Sequence, residues 1–258
     1  MTSFLPIVLL ASSLSINAQE APRAIIVDES SAMTHASYHH LTSEGVSLHL
    51  VKFNSRHYQL EVIDQANGPG SQWPDSASVG KSHKALAVIN GGFFTPEGAP
   101  LGKLIASGTD RGSNNPSSLG SGFYFANAAH AGIARRASLE QVIKQAKPTQ
   151  LLQTGPMLSY RGEPVAGLSN EQSRARSFLA TDGSNLWLIG YTESATLAQL
   201  GQALSSKSLA EVHIYNAINL DGGRSSDLWV SPSVNNGNKT FRAFWNKPVL
   251  NFLALQKK

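Results

Sequence analysis

The sequence predicts an α+β fold: one domain with a mixed, largely antiparallel sheet flanked by a few helices. Three observations lead there. Short segments alternate apolar and polar residues, as half-buried strands do. Only two stretches carry helical spacing. No regular strand–helix alternation, the mark of a parallel α/β sheet, runs along the chain. At 258 residues and 41% apolar, the chain can bury a large core, and no stretch has the composition of an interdomain linker.

The first alternation, Val46-Ser47-Leu48-His49-Leu50-Val51-Lys52-Phe53, and the second, Tyr58-Gln59-Leu60-Glu61-Val62-Ile63-Asp64, read as an antiparallel strand pair. Asn67-Gly68-Pro69-Gly70 marks a loop. Residues 85–89 are continuously apolar and read as a buried strand, halted at Asn90-Gly91-Gly92. Residues 95–122 are rich in Gly, Pro, Ser and Asn, and are expected to be a long loop with at most a short strand near Leu104-Ile105.

Residues 138–146 predict a helix. Leu139, Val142, Ile143 and Ala146 share one face, and Ser138 with Gln141 has capping-box spacing. Strands are expected at 177–181 and 186–191. A second helix at 194–204 carries Leu197, Leu200 and Leu204 at helical spacing. One more strand runs into Asn219-Leu220-Asp221-Gly222-Gly223, and a last one covers 249–255.

Composition narrows the function classes. The chain has no cysteine, which excludes a disulfide scaffold, thiolate metal sites and a cysteine nucleophile. Its formal charge of +4 is thinly spread, without a basic run that would suit nucleic acid. The first 18 residues are uncharged, with an apolar stretch from Phe4 to Ala11 and Ala18-Gln19-Glu20 after it. That is the order of a signal peptide, so residues 1–18 are expected to be a leader and 19–258 the mature domain, periplasmic or secreted. No later stretch is long enough to span a bilayer, and no stable membrane insertion is expected after leader removal.

Two places repeat one design, an apolar strand running into a polar residue and two glycines: Ile89-Asn90-Gly91-Gly92-Phe93-Phe94 and Ile218-Asn219-Leu220-Asp221-Gly222-Gly223-Arg224-Ser225-Ser226. Each alone fits an ordinary type I′ turn. Together they suggest a site, because glycine lets a backbone approach a ligand and successive amides can hold an anion.

Asn-Gly-Gly-Phe-Phe at 90–94, Gln-Thr-Gly-Pro-Met-Leu at 153–158, Arg176-Ser177 and Asn-Leu-Asp-Gly-Gly-Arg-Ser-Ser at 219–226 occur in this order. From about Ala85 onward the chain resembles the phosphodiester glycosidase family. The resemblance implies an α+β fold and hydrolysis of a sugar-1-phosphodiester in a glycan or envelope polymer, with N-acetylglucosamine one candidate sugar. Many members carry a third glycine at Arg224 and a threonine at Ser177.

The residues suit that chemistry. A phosphate leaving group is already a stable anion, so its protonation matters less than in ordinary glycoside hydrolysis, where two carboxylates divide the work. Asp221 is the candidate base or nucleophile. Arg176 is the candidate phosphate clamp, since guanidinium matches phosphate through two bonds. Asn90 and Asn219 would hold sugar hydroxyls or fix the loops. Gly91, Gly92, Gly222 and Gly223 would allow close approach, with Arg224 at the rim. Ser225 and Ser226 would donate to phosphate or cap a turn, and Thr154 and Gly155 would line the same cleft.

Glu97, Asp182, Glu193 and Asp227 are further carboxylates, each expected to be solvated or capping. His35, His39 and His40 could bind a metal only if helical, and the segment reads as a polar terminus. Phe93, Phe94, Trp229 and Trp245 fit sugar stacking or core packing. No cofactor is required by these residues, although a divalent cation is compatible with them. The expected partner is a phosphorylated carbohydrate, not nucleic acid. Two rival readings stay open: a non-catalytic phosphoglycan-binding protein, and a metal-dependent phosphodiesterase acting at phosphorus.

Overall fold

The computed structural model describes Met1 and residues 35–258; residues 2–18 of the expected leader and its boundary at Gln19 lie outside the described residues. The fold is α+β and mostly sheet, with three sheets in place of the single one expected. Every pairing between the strands named below is antiparallel.

The first sheet has the order β1 (Ser37–Ser43), β2 (Val46–Asn54), β13 (Leu186–Ala195), β12 (Arg174–Thr181), β14 (Asn216–Asn219), β10 (Met157–Tyr160) and β11 (Glu163–Pro164). The second runs β16 (Lys239–Arg242), β15 (Asp227–Val230), β4 (Ala87–Asn90), β17 (Asn251–Lys257) and β3 (Tyr58–Asp64). The third runs β6 (Thr109–Arg111), β5 (Leu104–Ala106), β9 (Gln150–Thr154), β7 (Gly122–Ala126) and β8 (Ala131–Arg135).

Each sheet turns one face to a shared core and is covered on the other by one helix. Val51, Leu179 and Ile189 of the first sheet meet Leu60, Ile89 and Leu253 of the second and Leu104, Tyr124 and Leu152 of the third. On the outer face of the first sheet, Leu48, Leu50, Phe178 and Leu188 pack against Leu200 and Leu204 of α3 (Leu197–Ser205). Val88, Phe252 and Ala254 pack with Val79 of α1 (Ser76–His83). Ile105, Phe123 and Leu151 pack with Leu139 of α2 (Leu139–Ala146). Strands buried on both faces need apolar residues at both parities, which is why 87–89 and 252–255 read as continuous apolar runs.

The two alternating segments do not pair with each other. β2 lies between β1 and β13, whereas β3 pairs with β17 in the second sheet. β2 is covered on both faces and β3 alternates between buried and half-buried residues, so burial, not proximity in sequence, assigns their partners. Of the histidine segment, expected to be a polar terminus, His39 and His40 lie on the edge strand β1. The long polar stretch 95–122 contains the β5–β6 hairpin and is tied down by the buried Gln153. Its Oε1 accepts from the N–H groups of Lys103 and Asn115, and its Nε2 donates to the carbonyls of Asn115 and Gly120.

Helix starts also differ from expectation. At Ser138 the hydroxyl donates to the Arg135 carbonyl and no capping box forms. The boxes sit at Asp75–Ser78, which starts the unpredicted α1, and at Thr196–Gln199. α3 begins at Leu197, three residues later than expected, because β13 continues to Ala195.

Candidate active site

The two double-glycine loops meet. β4 ends the second sheet at Asn90, and β14 ends in the first at Asn219. The Asp221 N–H donates to the Gly91 carbonyl at 2.9 Å, and the Asn90 amide donates to the Asp221 carbonyl at 2.7 Å. Asn90 is fully buried, and its Oδ1 accepts from the Ser177 hydroxyl at 2.6 Å and the Asp227 N–H at 3.0 Å. One side chain therefore joins β12, β15 and the Asp221 loop. Asn90 is placed to fix the loops.

The Asp221 carboxylate is partly buried. It accepts from the Gly222 N–H at 2.9 Å and from the Ser225 hydroxyl. Burial pushes its pKa up to about 6, and those two bonds limit the rise. At neutral pH such a group is largely ionised yet basic enough to take a proton, the tuning that general bases need.

Arg176 lies beside this loop. Its Nε donates to the Ala195 carbonyl at 3.0 Å and one terminal nitrogen donates to the Gln172 carbonyl at 2.8 Å. The other, Nη1, faces Gly222: a Cβ added there would sit 3.6 Å from it. Burial and the neighbouring Arg174 lower the guanidinium pKa from its ordinary value without removing its charge at physiological pH. An anion beside Gly222 would relieve both effects.

A cleft of about 720 Å³ opens past Gly223 and Arg224, between the β12–β13 end of the first sheet and β16. Arg174, Glu193, Tyr191, Phe241, Arg242 and Trp245 also line it. Trp245 is 63% exposed at this rim, while Trp229 packs in the cluster under α1 and Phe94 at its edge. Phe93 is half-buried.

Other expected site residues lie behind the loops. Thr154 is fully buried and its hydroxyl donates to the Asn219 carbonyl; Gly155 is buried against the Ser118 carbonyl. Neither lines the cleft. Asn219 donates to the carbonyls of Gly155 and Leu220, so it fixes the end of β14. The amides of Gly91 and Gly92 are both taken by Asn251, through its carbonyl and its Oδ1 respectively, and do not form an open anion nest. Ser226 is buried, with its hydroxyl unpartnered.

Of the further carboxylates, Asp227 is buried and caps α1 through the Ser76 N–H while pairing with Arg242 at 2.9 Å. Asp182 accepts from Ser184 and Leu186 in a turn, and Glu97 is exposed. Glu193 alone among these four lines the cleft. His39 and His40 bond serine hydroxyls on β1 and β2, and among the described residues no group of three or more His, Asp or Glu could hold a metal. Sequence reasoning missed Asn251 and Gln153. A lone asparagine opening an otherwise apolar strand was the available signal for Asn251.

A family model for phosphodiester glycosidases matches residues 83–256, and the chain belongs to that family. No curated protein matches it in sequence. Among solved structures it is similar to the catalytic domain of zebrafish N-acetylglucosamine-1-phosphodiester alpha-N-acetylglucosaminidase, auto-inhibited by its pro-peptide. The TM-score is 0.60 at 17% identity, over 86% of this chain and 82% of that one. A hypothetical protein from Synechocystis gives 0.59 at 15%, over 86% and 61%. A protein of Burkholderia pseudomallei K96243 named as exported gives 0.53 at 12%, over 81% and 74%. These likenesses establish the fold. No helix among the described residues is long and apolar enough to cross a membrane.

Proposed function

We propose that this chain is an exported hydrolase that releases a sugar from a sugar-1-phosphodiester by breaking the sugar–oxygen bond. The observation that carries the reading is the juxtaposition of a carboxylate on the loop after β14 and a guanidinium on the neighbouring strand β12. Asp221 has a pKa raised to about 6, and the Nη1 of Arg176 faces the next residue, Gly222. Family membership supports the reaction class. Export rests on the charge-free apolar N-terminus and on the name of the Burkholderia relative.

In this reading Arg176 holds the diester phosphate and Asp221 faces the anomeric carbon. As base, Asp221 takes a proton from water while the water oxygen bonds to that carbon. The bond from that carbon to the bridging oxygen breaks, and its electron pair stays on that oxygen, which leaves with phosphorus as a phosphate monoester anion. As nucleophile, Asp221 bonds to the carbon as the phosphate monoester leaves with the electron pair of the bond it held. Water then adds to the carbon, the bond to Asp221 breaks and returns its electron pair to the carboxylate, and the water proton is released. N-acetylglucosamine is the first sugar to try.

Hydrolysis of a panel of sugar-1-phosphodiesters in heavy-oxygen water tests this. Label in the sugar supports it. Label in the phosphate means attack at phosphorus and overturns it, and tight binding without turnover leaves a phosphoglycan-binding protein.

A further inference from the structure

Arg174 and Arg176 alternate along β12, so their Cα atoms are roughly 6–7 Å apart. They flank successive glycines of the Asp221 loop: Nη1 of Arg176 faces Gly222, and a Cβ added at Gly223 would lie 3.7 Å from Cδ of Arg174. Arg224 follows at once. From Asp221 outward, the loop therefore passes three guanidinium groups and opens into the cleft, which Arg174, Arg224 and Trp245 line but Asp221 does not.

The charges in the cleft are not balanced. Arg242 is neutralised by Asp227. Among the described residues, neither Arg174 nor Arg224 has a carboxylate within 4.0 Å, and both are exposed. Arg224 is held instead by its Nε donating to the Trp245 carbonyl at 3.1 Å, which fixes its position without cancelling its charge. Glu193 is the acidic group in the lining, so the cleft keeps an excess of positive charge beyond Arg176.

We infer that Arg174 and Arg224 select substrates whose leaving half carries a second phosphate. This rests on the reading of Asp221 and Arg176 given above. With the sugar at Asp221 and the diester phosphate at Arg176, the alcohol half extends past Gly223 into the cleft. A second phosphate there meets two unpaired guanidinium groups. Pyrophosphate-linked sugars and repeating sugar–phosphate chains share this chemistry, and they differ in the distance between phosphates.

The test uses the full chain and three substrates with the same sugar: a methyl phosphodiester, one whose alcohol is glycerol phosphate, and a pyrophosphate-linked nucleoside. The expected result is a kcat/KM at least ~10-fold higher for one bisphosphate substrate than for the methyl ester, as one or two charge-assisted bonds would give. The preferred spacing tells the two sources apart. In Arg174→Ala and Arg224→Ala the ratio between the two substrates should fall toward one, and it should also shrink with salt. Equal kcat/KM for all three substrates, or a ratio unchanged in both variants, overturns the inference and leaves the hydrolase reading intact.

A binding arm is independent of turnover. Quenching of Trp245 fluorescence by inorganic pyrophosphate, against inorganic phosphate and a Trp245→Phe control, should show at least ~10-fold tighter binding that both arginine variants lose. Arginine-dependent pyrophosphate binding in a protein that hydrolyses none of the substrates would fail the hydrolase reading and keep the anion cleft. Equal affinity for the two anions overturns the cleft assignment.

Discussion

The side-chain amide of Asn90 donates to the backbone carbonyl of Asp221 at 2.7 Å, across 131 positions of sequence. That bond, with the Asp221 N–H on the Gly91 carbonyl, fastens the end of a first-sheet strand to the end of a second-sheet strand. Asp221 is thus held at both its own N–H and its own carbonyl, on either side of its Cα. Such positioning is worth most where a reacting group must meet a substrate within a fraction of an ångström.

Replacing Asp221 by Asn keeps size and the bonds from Gly222 and Ser225 but removes the charge and the proton acceptor. Turnover should fall by at least ~10²-fold, the lower range for a positioned acid–base group. Binding of a phosphodiester, measured by calorimetry, should change much less. Native turnover in a folded Asp221→Asn protein would reduce Asp221 to a turn residue.

The pH profile follows from the same group. In the proposed reaction Asp221 acts in its ionised form, so kcat/KM should climb tenfold per unit below pH 6 and level off above it, an acid limb near the pKa of about 6. Steady-state rates from pH 4.5 to 8 check this. A limb near pH 4 would mean that the acting carboxylate is an ordinary exposed one.

Asp221 should also cost the fold stability. Its folded pKa of about 6 stands above the ordinary 3.8, so the folded chain binds this proton more tightly than the unfolded chain. The resulting stabilisation is complete below about pH 4 and lost as pH rises through 6. Asp221→Asn should therefore be more stable than the native chain at pH 8, by on the order of 1–3 kcal/mol. That range follows from about two pKa units at 1.36 kcal/mol each, discounted for partial exposure. Urea midpoints at pH 8 and pH 4 should show the gain at the first and little at the second.

Asn90→Ala should fail differently. It leaves the Asp227 N–H, the Ser177 hydroxyl and the Asp221 carbonyl without their partner in a fully buried place. A loss of roughly 2–4 kcal/mol is expected by denaturant unfolding, as two or three unsatisfied groups would give. In the protein that still folds, kcat should drop with little change in KM, since Asn90 touches the Asp221 backbone and not the cleft. A stability near native would show that water replaces the amide there.

Much of this molecule is legible in the chain alone, for a local reason. A strand buried on both faces must be apolar at both parities, and it must stop where Asn-Gly or Asp-Gly lets the backbone turn. Both β4 and β14 therefore announce themselves together with the residues at their ends, Asn90 and Asp221. The α+β class follows equally from the spacing of apolar residues in β2, β12, β13, α2 and α3. Family resemblance adds the order of the motifs, which is also a property of sequence.

The rest depends on residues far apart in the chain. Residues 46–54 and 58–64 are adjacent strands that look like a hairpin, yet their partners were chosen by which faces α3 and the shared core could cover. Nothing near Gly91 and Gly92 reveals that Asn251 would take both amides, or that Thr154 would turn its hydroxyl inward to Asn219. Arg174 carries no sign of its place beside the Asp221 loop until β12 is laid against the Gly222-Gly223 turn. Spacing along the chain records which residues can share a face. Only the packed sheets decide which polar groups lose water, and so which carboxylates burial pushes up in pKa and which arginines are left without a carboxylate partner.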